Sequence, residues 1–450
     1  MKIPSSSNKR YLGGADWCVA ALRQGTLENT GRPTVFHVAV FLEGIPDVVR
    51  LESEFQDFCA RFPLLWGDVA RCWCLAPYWK IPASSSGRRA PCRRAACPDE
   101  TTTEDVVRRI EALANRPDLL DGCAVALETA TLGTRQTILV FSFDHRLFDA
   151  SGGERFIDLF FRVLDGTAAE SDFPNPRPTE PACLDHWLRR FAGGRKLNRA
   201  MQRLSPGASA GLDLPPDVAR RPFRFRVVSL DERESRLVQE RAFAAAGYLM
   251  FMPYALATAA AVLCPKFAGK NSSETRFVVT VSTNRQHPPR DSAPHFFFND
   301  LSFLYFGFPA AAAANRDELA VAVRDQMIAQ VKEGMPGAIE DANLLMRILS
   351  PRLFWKFMVK FFRNRLSSFA LTCLGEPALQ AASVLDCPVL RHLHFPVIPT
   401  PPGIGLVVSR SGTKYHVVLS YIEGILPESE IEGLLESFRS RWLDESTEKR

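Results

Sequence analysis

"TILVFSFDHRLFDASGGERFIDLFFRVLDG" occupies Thr137 to Gly166, and its reading decides the fold. From Thr137 to Phe143 it is apolar and rich in β-branched and aromatic residues, the composition of a buried strand. The strand ends abruptly in "DHR". After Asp149 comes "SGGE", in which Ser151 and Glu154 have the spacing of a capping box. Phe156, Phe160, Val163 and Leu164 then recur at helical intervals, and Gly166 suits the position just past a helix end. His145 and Asp149 therefore fall on a short loop held between two rigid elements, where catalytic geometry is readily fixed. The residues alone leave two readings open: a catalytic pair, or a loop histidine whose ring bonds a carbonyl.

Spacing by itself does not decide between them. The chain has 8 histidines, and a second His-x-x-x-Asp, His287 to Asp291, lies in "HPPRD". Its prolines mark a turn, without the strand and helix that flank His145.

A chain of 450 residues has room for two ordinary domains. Its 46% hydrophobic and 23% charged content is that of a soluble globular protein. The net charge of +5 is spread thinly, which argues against nucleic acid as a partner. "MKIPSSSNKRYLGG" has no apolar signal core, and 11 cysteines, an odd number, read as reduced cytoplasmic thiols. Cys72, Cys74, Cys92 and Cys97 cluster, but C-x-C departs from the pairs that structural zinc prefers, and no metal is expected. The uncharged run Ala242 to Pro265 is long enough to span a bilayer. Gly247 and Pro253 divide it and "DERESRLVQER" leads into it, so two helices, the second buried, are the better reading.

The chain falls into an N-terminal unit, 1–166, a proline-rich linker with one basic helix, 167–221, and a C-terminal unit, 222–450. Each unit alternates strands and helices. The first has "TVFHVAVFLEG" and a hairpin of "CAVALETATL" with "RQTILVFSFDH". The second has "TRFVVTVSTNR", the aromatic run "FFFNDLSFLYFGFP", "SSFALTCLG", and a hairpin of "GIGLVVSRSG" with "KYHVVLSYIEG". The expected class is α/β (α+β), two mixed units of similar architecture without an internal sequence repeat.

With this order in place, "FSFDHRLFDASGG" resembles the HxxxDG motif of the CoA-dependent acyltransferase superfamily. That superfamily includes chloramphenicol acetyltransferase, BAHD acyltransferases, nonribosomal-peptide condensation domains and wax-ester synthases. "RYLGGADWCVAAL", "FPLLWGDVAR", "VVTVSTNR", "FALTCLGEP" and "PGIGLVVSRSGTKYHVVLSYIEGILPESEIEGLLESF" are similar to further family elements, in the right order over nearly the whole chain. The resemblance implies two chloramphenicol-acetyltransferase-like domains with the active site in a channel between them. It implies acyl transfer from a thioester, on acyl-CoA or an acyl carrier protein, to a small alcohol or amine. His145 would be the general base, a role suited to an imidazole. Asp149 would be structural and paired with Arg285, while Asn299 and Ser302 are candidates for substrate or oxyanion contacts. No permanently bound cofactor is implied, and a stand-alone cytoplasmic monomer is expected.

Three features depart from the family pattern. Ala150 replaces the glycine after the aspartate, Asp144 stands where condensation domains usually have a second histidine, and the BAHD motif DFGWG is absent, "NDLSFLYFG" lying in its region. Two alternatives therefore stand beside the enzyme: a catalytically silent binding module, and a lipid ester synthase at the membrane face. The second draws on "SPRLFWKFMVKFFRNRLSSF", where Lys356, Lys360, Arg363 and Arg365 accompany Phe354, Trp355, Phe357, Phe361 and Phe362. The competing reading is a core helix whose basic residues face water.

Overall fold

The computed structural model describes residues 8–71, 76–97, 102–133, 135–174, 186–204, 209–248, 250–267, 276–284, 296–362 and 366–443. The strand from the opening stretch is Gln136–Asp144, buried at every residue but the first. It runs antiparallel between Val35–Glu43 and Val125–Leu132. These are the middle strands of a 6-stranded sheet, whose far edge beyond Val125–Leu132 is Cys92–Cys97. The opposite edge is made of Cys387–Pro396 and Ser383–Val384, strands from late in the chain.

This return crosses the boundary expected at residues 167–221, because the first sheet draws strands from both units. Its physical reason is a strand with work on both faces. Leu393 and Phe395 pack with Val418 and Phe225 of the second sheet, the Phe225 and Phe395 rings 5.4 Å apart. His392 and His394 point the other way, toward the helix Ala150–Leu164.

The second sheet, also 6-stranded, has the order Leu301–Pro309, Arg276–Asn284, Ala370–Cys373, Ile404–Ser411, Lys414–Ile422, Phe223–Ser229. Its expected hairpin is present as the antiparallel pair Ile404–Ser411 and Lys414–Ile422. A small third sheet joins Lys9–Tyr11, Pro77–Lys80 and Asp68–Arg71.

The uncharged run forms Phe251–Phe267, buried almost throughout, after Glu232–Ala246 and a bend of 96°. Among the described residues no single helix is long and apolar enough to cross a membrane. The basic helix of the linker segment, Trp187–Leu204, is not a free spacer, since it packs on Met335–Met346. The opening helix Gly14–Thr30 packs on the same helix and on Pro351–Phe361. The latter buries Phe354, Trp355 and Met358 and turns Lys356 and Lys360 to solvent beside exposed Leu353 and Phe357. Arg363 and Arg365 lie outside the described residues.

Two glycines test this packing in opposite directions. A Cβ on Gly25 would meet the Trp355 ring at 2.0 Å, whereas one on Gly194 would meet nothing within 4 Å. Gly25→Ala should therefore lower unfolding stability by roughly 1–3 kcal/mol through overpacking. Gly194→Ala, in an open helix interior, should raise it by about 0.5–1 kcal/mol. Urea unfolding of the two variants beside the parent measures both signs.

Candidate active site

The helix after the motif runs Ala150–Leu164 and is capped by Asp149, whose backbone is extended and whose Oδ1 accepts from Gly152 N at 2.7 Å. The capping box expected from Ser151 and Glu154 is not formed. The cap lies two residues earlier, and Glu154 turns inward to His394 instead. A short carboxylate at Asp149 reaches the free N–H groups of the first turn, which leaves Glu154 no cap to complete. Gly166 has φ +68°, the left-handed conformation of a helix stop.

The motif loop is stitched to residues 296–300 of the second unit. Asp149 Oδ2 accepts from Asp300 N at 3.1 Å, and Phe298 N donates to Leu147 O. The Asn299 amide nitrogen donates to His145 O at 3.0 Å and to Arg146 O at 3.4 Å. Asn299 N donates to Asp16 Oδ1 at 2.8 Å, so the start of the opening helix joins the same network. A Cβ on Gly152 would lie 2.5 Å from Phe296 O, an approach that only glycine permits.

Sequence reading placed the whole run "FFFNDLSFLYFGFP" in a strand, but the strand begins at Leu301. Phe298 takes φ +71°, unusual for a non-glycine residue. Phe296 and Phe297 enter the first unit's core instead of extending the sheet. Phe296 meets the rings of Phe62 and Phe156 at 5.8 and 5.9 Å, and Phe297 meets Phe148 at 5.3 Å. Burial of these rings holds the strained residue that follows them in place.

His145 is half-buried. Its ring stands edge-on to Phe36 at 5.4 Å, and Phe36 in turn packs against Gly153, where a Cβ would come within 3.0 Å of it. The Nδ1 atom of His145 is buried without a hydrogen-bond partner.

The position before His145 holds a buried ion pair. Arg146 Nη2 lies 2.6 Å from Asp144 Oδ2, and Arg146 Nε bonds both carboxylate oxygens. Burial would push the Asp144 carboxyl up, but the Arg146 guanidinium, its hydrogen bonds and Arg23 outweigh burial and hold it below the usual value. Asp149 behaves oppositely. Burial pushes its carboxyl up more than the N–H groups of Gly152 and Asp300 and the nearby His145 pull it down. Burial also raises Asp16, against the pull of the N–H groups of Asn299 and Gly13.

Of the expected site residues, the structure brings His145, Asp149 and Asn299 together. The Asn299 amide nitrogen faces loop carbonyls rather than open space. Ser302 is buried, its hydroxyl donating to Pro336 O at 3.4 Å. Arg285, His287 and Asp291 lie outside the described residues, as do Cys72 and Cys74. Sequence reasoning missed Asp16, Phe36 and Arg146. Asp16 lies in the first turn of Gly14–Thr30, where its Oδ2 accepts from Gly13 N at 2.8 Å.

A separate basic face lies along Trp187–Leu204, where Arg195, Lys196, Arg199 and Arg203 share one side of the helix. It shares no residue with the motif loop.

No protein-family profile matches the chain, and no curated protein matches it in sequence. Solved structures do match over nearly full length. The first condensation domain of the calcium-dependent antibiotic synthetase, bound to a substrate analogue, superposes with a TM-score of 0.70 at 14% identity, covering 98% of this chain and 96% of its own. The chain has the condensation-domain fold. A trichothecene 15-O-acetyltransferase from Fusarium sporotrichioides matches with a TM-score of 0.67 at 12% identity, covering 97% of this chain and 94% of its own. The condensation domain of the monacolin K polyketide synthase gives 0.60 at 13%, covering 97% and 96%. The expected mixed helix-and-sheet fold of this kind is thus present, at identities where only the fold is shared.

The Asp144–Arg146 pair yields a pH-dependent prediction. A carboxyl held below its ordinary value of 3.8 stabilises the fold above that pH, and the contribution is lost as pH falls through the lower folded value. Arg146→Met removes the main partner and leaves Asp144 to the raising effect of burial. The variant should be less stable than the parent by about 3 kcal/mol at pH 7. The gap should shrink on acidification, as Asp144 in the variant takes up a proton. Denaturant unfolding of both proteins at pH 7 and near pH 4 checks magnitude and sign.

Proposed function

We propose that this protein is an acyltransferase that moves an acyl group from a thioester to a hydroxyl or amine, with His145 as general base. The observation that carries the proposal is the placement of His145. Its imidazole is half-buried, its Nδ1 enclosed, and its loop locked from the second unit by Asn299 and Asp300. The shared fold with a condensation domain and an O-acetyltransferase supports the same reaction class.

In the proposed step, Nε2 takes the proton of the acceptor O–H or N–H as the acceptor lone pair forms a bond to the thioester carbonyl carbon. The tetrahedral intermediate then expels the thiolate as the C–S bond breaks, and the imidazolium returns its proton to sulfur. No acyl-enzyme forms. Asn299 acts as a positioning residue, fixing the loop through the His145 carbonyl, and Asp149 fixes it through two backbone N–H groups. Arg285 stays a proposed further partner of Asp149, and Ser302 a proposed contact for the carbonyl oxygen. We assign the donor to CoA or an acyl carrier protein, the acceptor to a small alcohol or amine, and the setting to the cytoplasm as a monomer.

Thioester consumption with a panel of acceptors tests the reading. His145→Ala should lose about 10²–10⁴-fold in turnover while unfolding like the parent. His287→Ala should stay near the parent rate. Near-parent turnover in His145→Ala would overturn the general-base assignment, and a parent that consumes no thioester with any acceptor would favour the silent-module reading instead.

Both donor classes carry phosphate, and the basic face of Trp187–Leu204 suits an anionic donor. Reversing charge there with Arg195→Glu and Lys196→Glu should raise the donor KM several-fold at low salt and leave kcat unchanged. Steady-state kinetics at two salt concentrations separates the two parameters.

The lipid reading retains one observation in its favour: Leu353 and Phe357 are exposed beside Lys356 and Lys360 on one helix. Flotation with anionic liposomes at low salt decides it, and no binding removes it.

A further inference from the structure

The residue freed from the expected capping box has a different set of neighbours. Glu154 reaches inward from the helix Ala150–Leu164 to the strand Cys387–Pro396. There His392 and His394, alternate residues on a strand, share one face. His394 Nε2 lies 2.7 Å and His392 Nε2 3.3 Å from the same oxygen, Glu154 Oε1. Side-chain exposure is 4% for His392, 3% for His394 and 5% for Glu154. One donor atom from each lies within 4.8 Å of the other two. Among the described residues this is the one group of histidine, cysteine and acidic side chains with such spacing.

Hydrogen bonding alone does not satisfy the cluster. The contact of His392 Nε2 with Glu154 lacks hydrogen-bond geometry, so that nitrogen is buried without a partner. Leaving such groups unpaired in a dry interior is costly, and native structures rarely do so. Two imidazoles and a carboxylate are also the donor set of many three-ligand metal centres. A tetrahedral ion with bonds of about 2.0–2.2 Å sets its ligand atoms roughly 3.3–3.5 Å apart. The 3.3 Å separation of His392 Nε2 from Glu154 Oε1 matches that spacing, and the 2.7 Å separation of His394 Nε2 would open by about 0.6 Å on binding.

We propose that Glu154, His392 and His394 bind a single zinc-class divalent ion. The expectation of a metal-free chain rested on the cysteine spacing and did not weigh a carboxylate and two histidines some 240 residues apart in sequence. Three protein ligands leave a fourth position for water. The other Glu154 oxygen accepts from Ala378 N, so that ligand is anchored from outside the cluster. The ion would clip the helix that Asp149 caps to a strand supplied by the second unit. This assignment stands apart from the acyl-transfer reading, since none of the three residues takes part in the proposed step.

The test uses the full chain, stripped with a chelator and titrated with Co²⁺, whose visible absorption reports coordination by nitrogen and oxygen ligands. The parent should take up one Co²⁺ per chain, release it to Zn²⁺, and melt at a higher temperature with Zn²⁺ than without. Glu154→Gln and His394→Gln should each weaken Co²⁺ binding at least ~10-fold. His186→Gln, which changes an exposed histidine, should bind like the parent. Folded parent protein that takes up no stoichiometric Co²⁺ overturns the assignment, whether or not the variants fold. Binding that persists unchanged in both ligand variants also overturns it.

Discussion

The Asp149 carboxylate accepts two backbone N–H groups from opposite units, Gly152 at the start of the motif helix and Asp300 in the second unit. The geometry around His145 depends on this double acceptance. One bond sets where the helix begins and hence where the preceding loop must end. The other fixes the loop against residues 296–300, which the rings of Phe296 and Phe297 anchor in the core of the first unit. Asn299 and Asp16 extend the same network to the opening helix. Fixed backbone groups of this kind hold a side chain more precisely than flexible contacts do, as general-base chemistry requires.

Much of this was legible in the sequence. Strand, loop and helix around His145 follow from local composition, and so do the terminal hairpin and the break between the helices Glu232–Ala246 and Phe251–Phe267. What was not legible depends on partners distant in the chain. "FFFND" reads as strand because aromatic residues favour strands. Its rings instead fill a core built by the other unit, and tertiary packing overrides the local preference. Glu154 reads as a cap because its spacing from Ser151 is right, yet His394 lies 240 residues away and offers a stronger partner. The pairing of Arg146 was not legible because nothing local shows that Asp144, two residues before it, is buried.

At 12–14% identity this chain and its structural neighbours share few side chains but retain one backbone arrangement. Packing tolerates such drift where volume and pattern are kept, and fold alone assigns no activity. The position before His145 shows the scope for change. Where the sequence resemblance leads to the expectation of a second histidine stands Asp144, buried and paired with the half-buried Arg146. The ion pair gives that end of the strand a fixed charge arrangement rather than a second titrating imidazole.

The returning strand Cys387–Pro396 bears on how the chain reaches this structure. It pairs with Val35–Glu43 across some 350 residues of intervening sequence. The first sheet is therefore incomplete while most of the chain is being made, and its edge at Val35–Glu43 stays open until the strand arrives. Pairing over such separations is slow, because the entropy of closing the loop must be overcome first. An open edge is also a template for pairing with other chains. During synthesis the nascent N-terminal half exposes that apolar edge for as long as it takes the ribosome to reach the second half, and chaperone demand should be greatest in that interval.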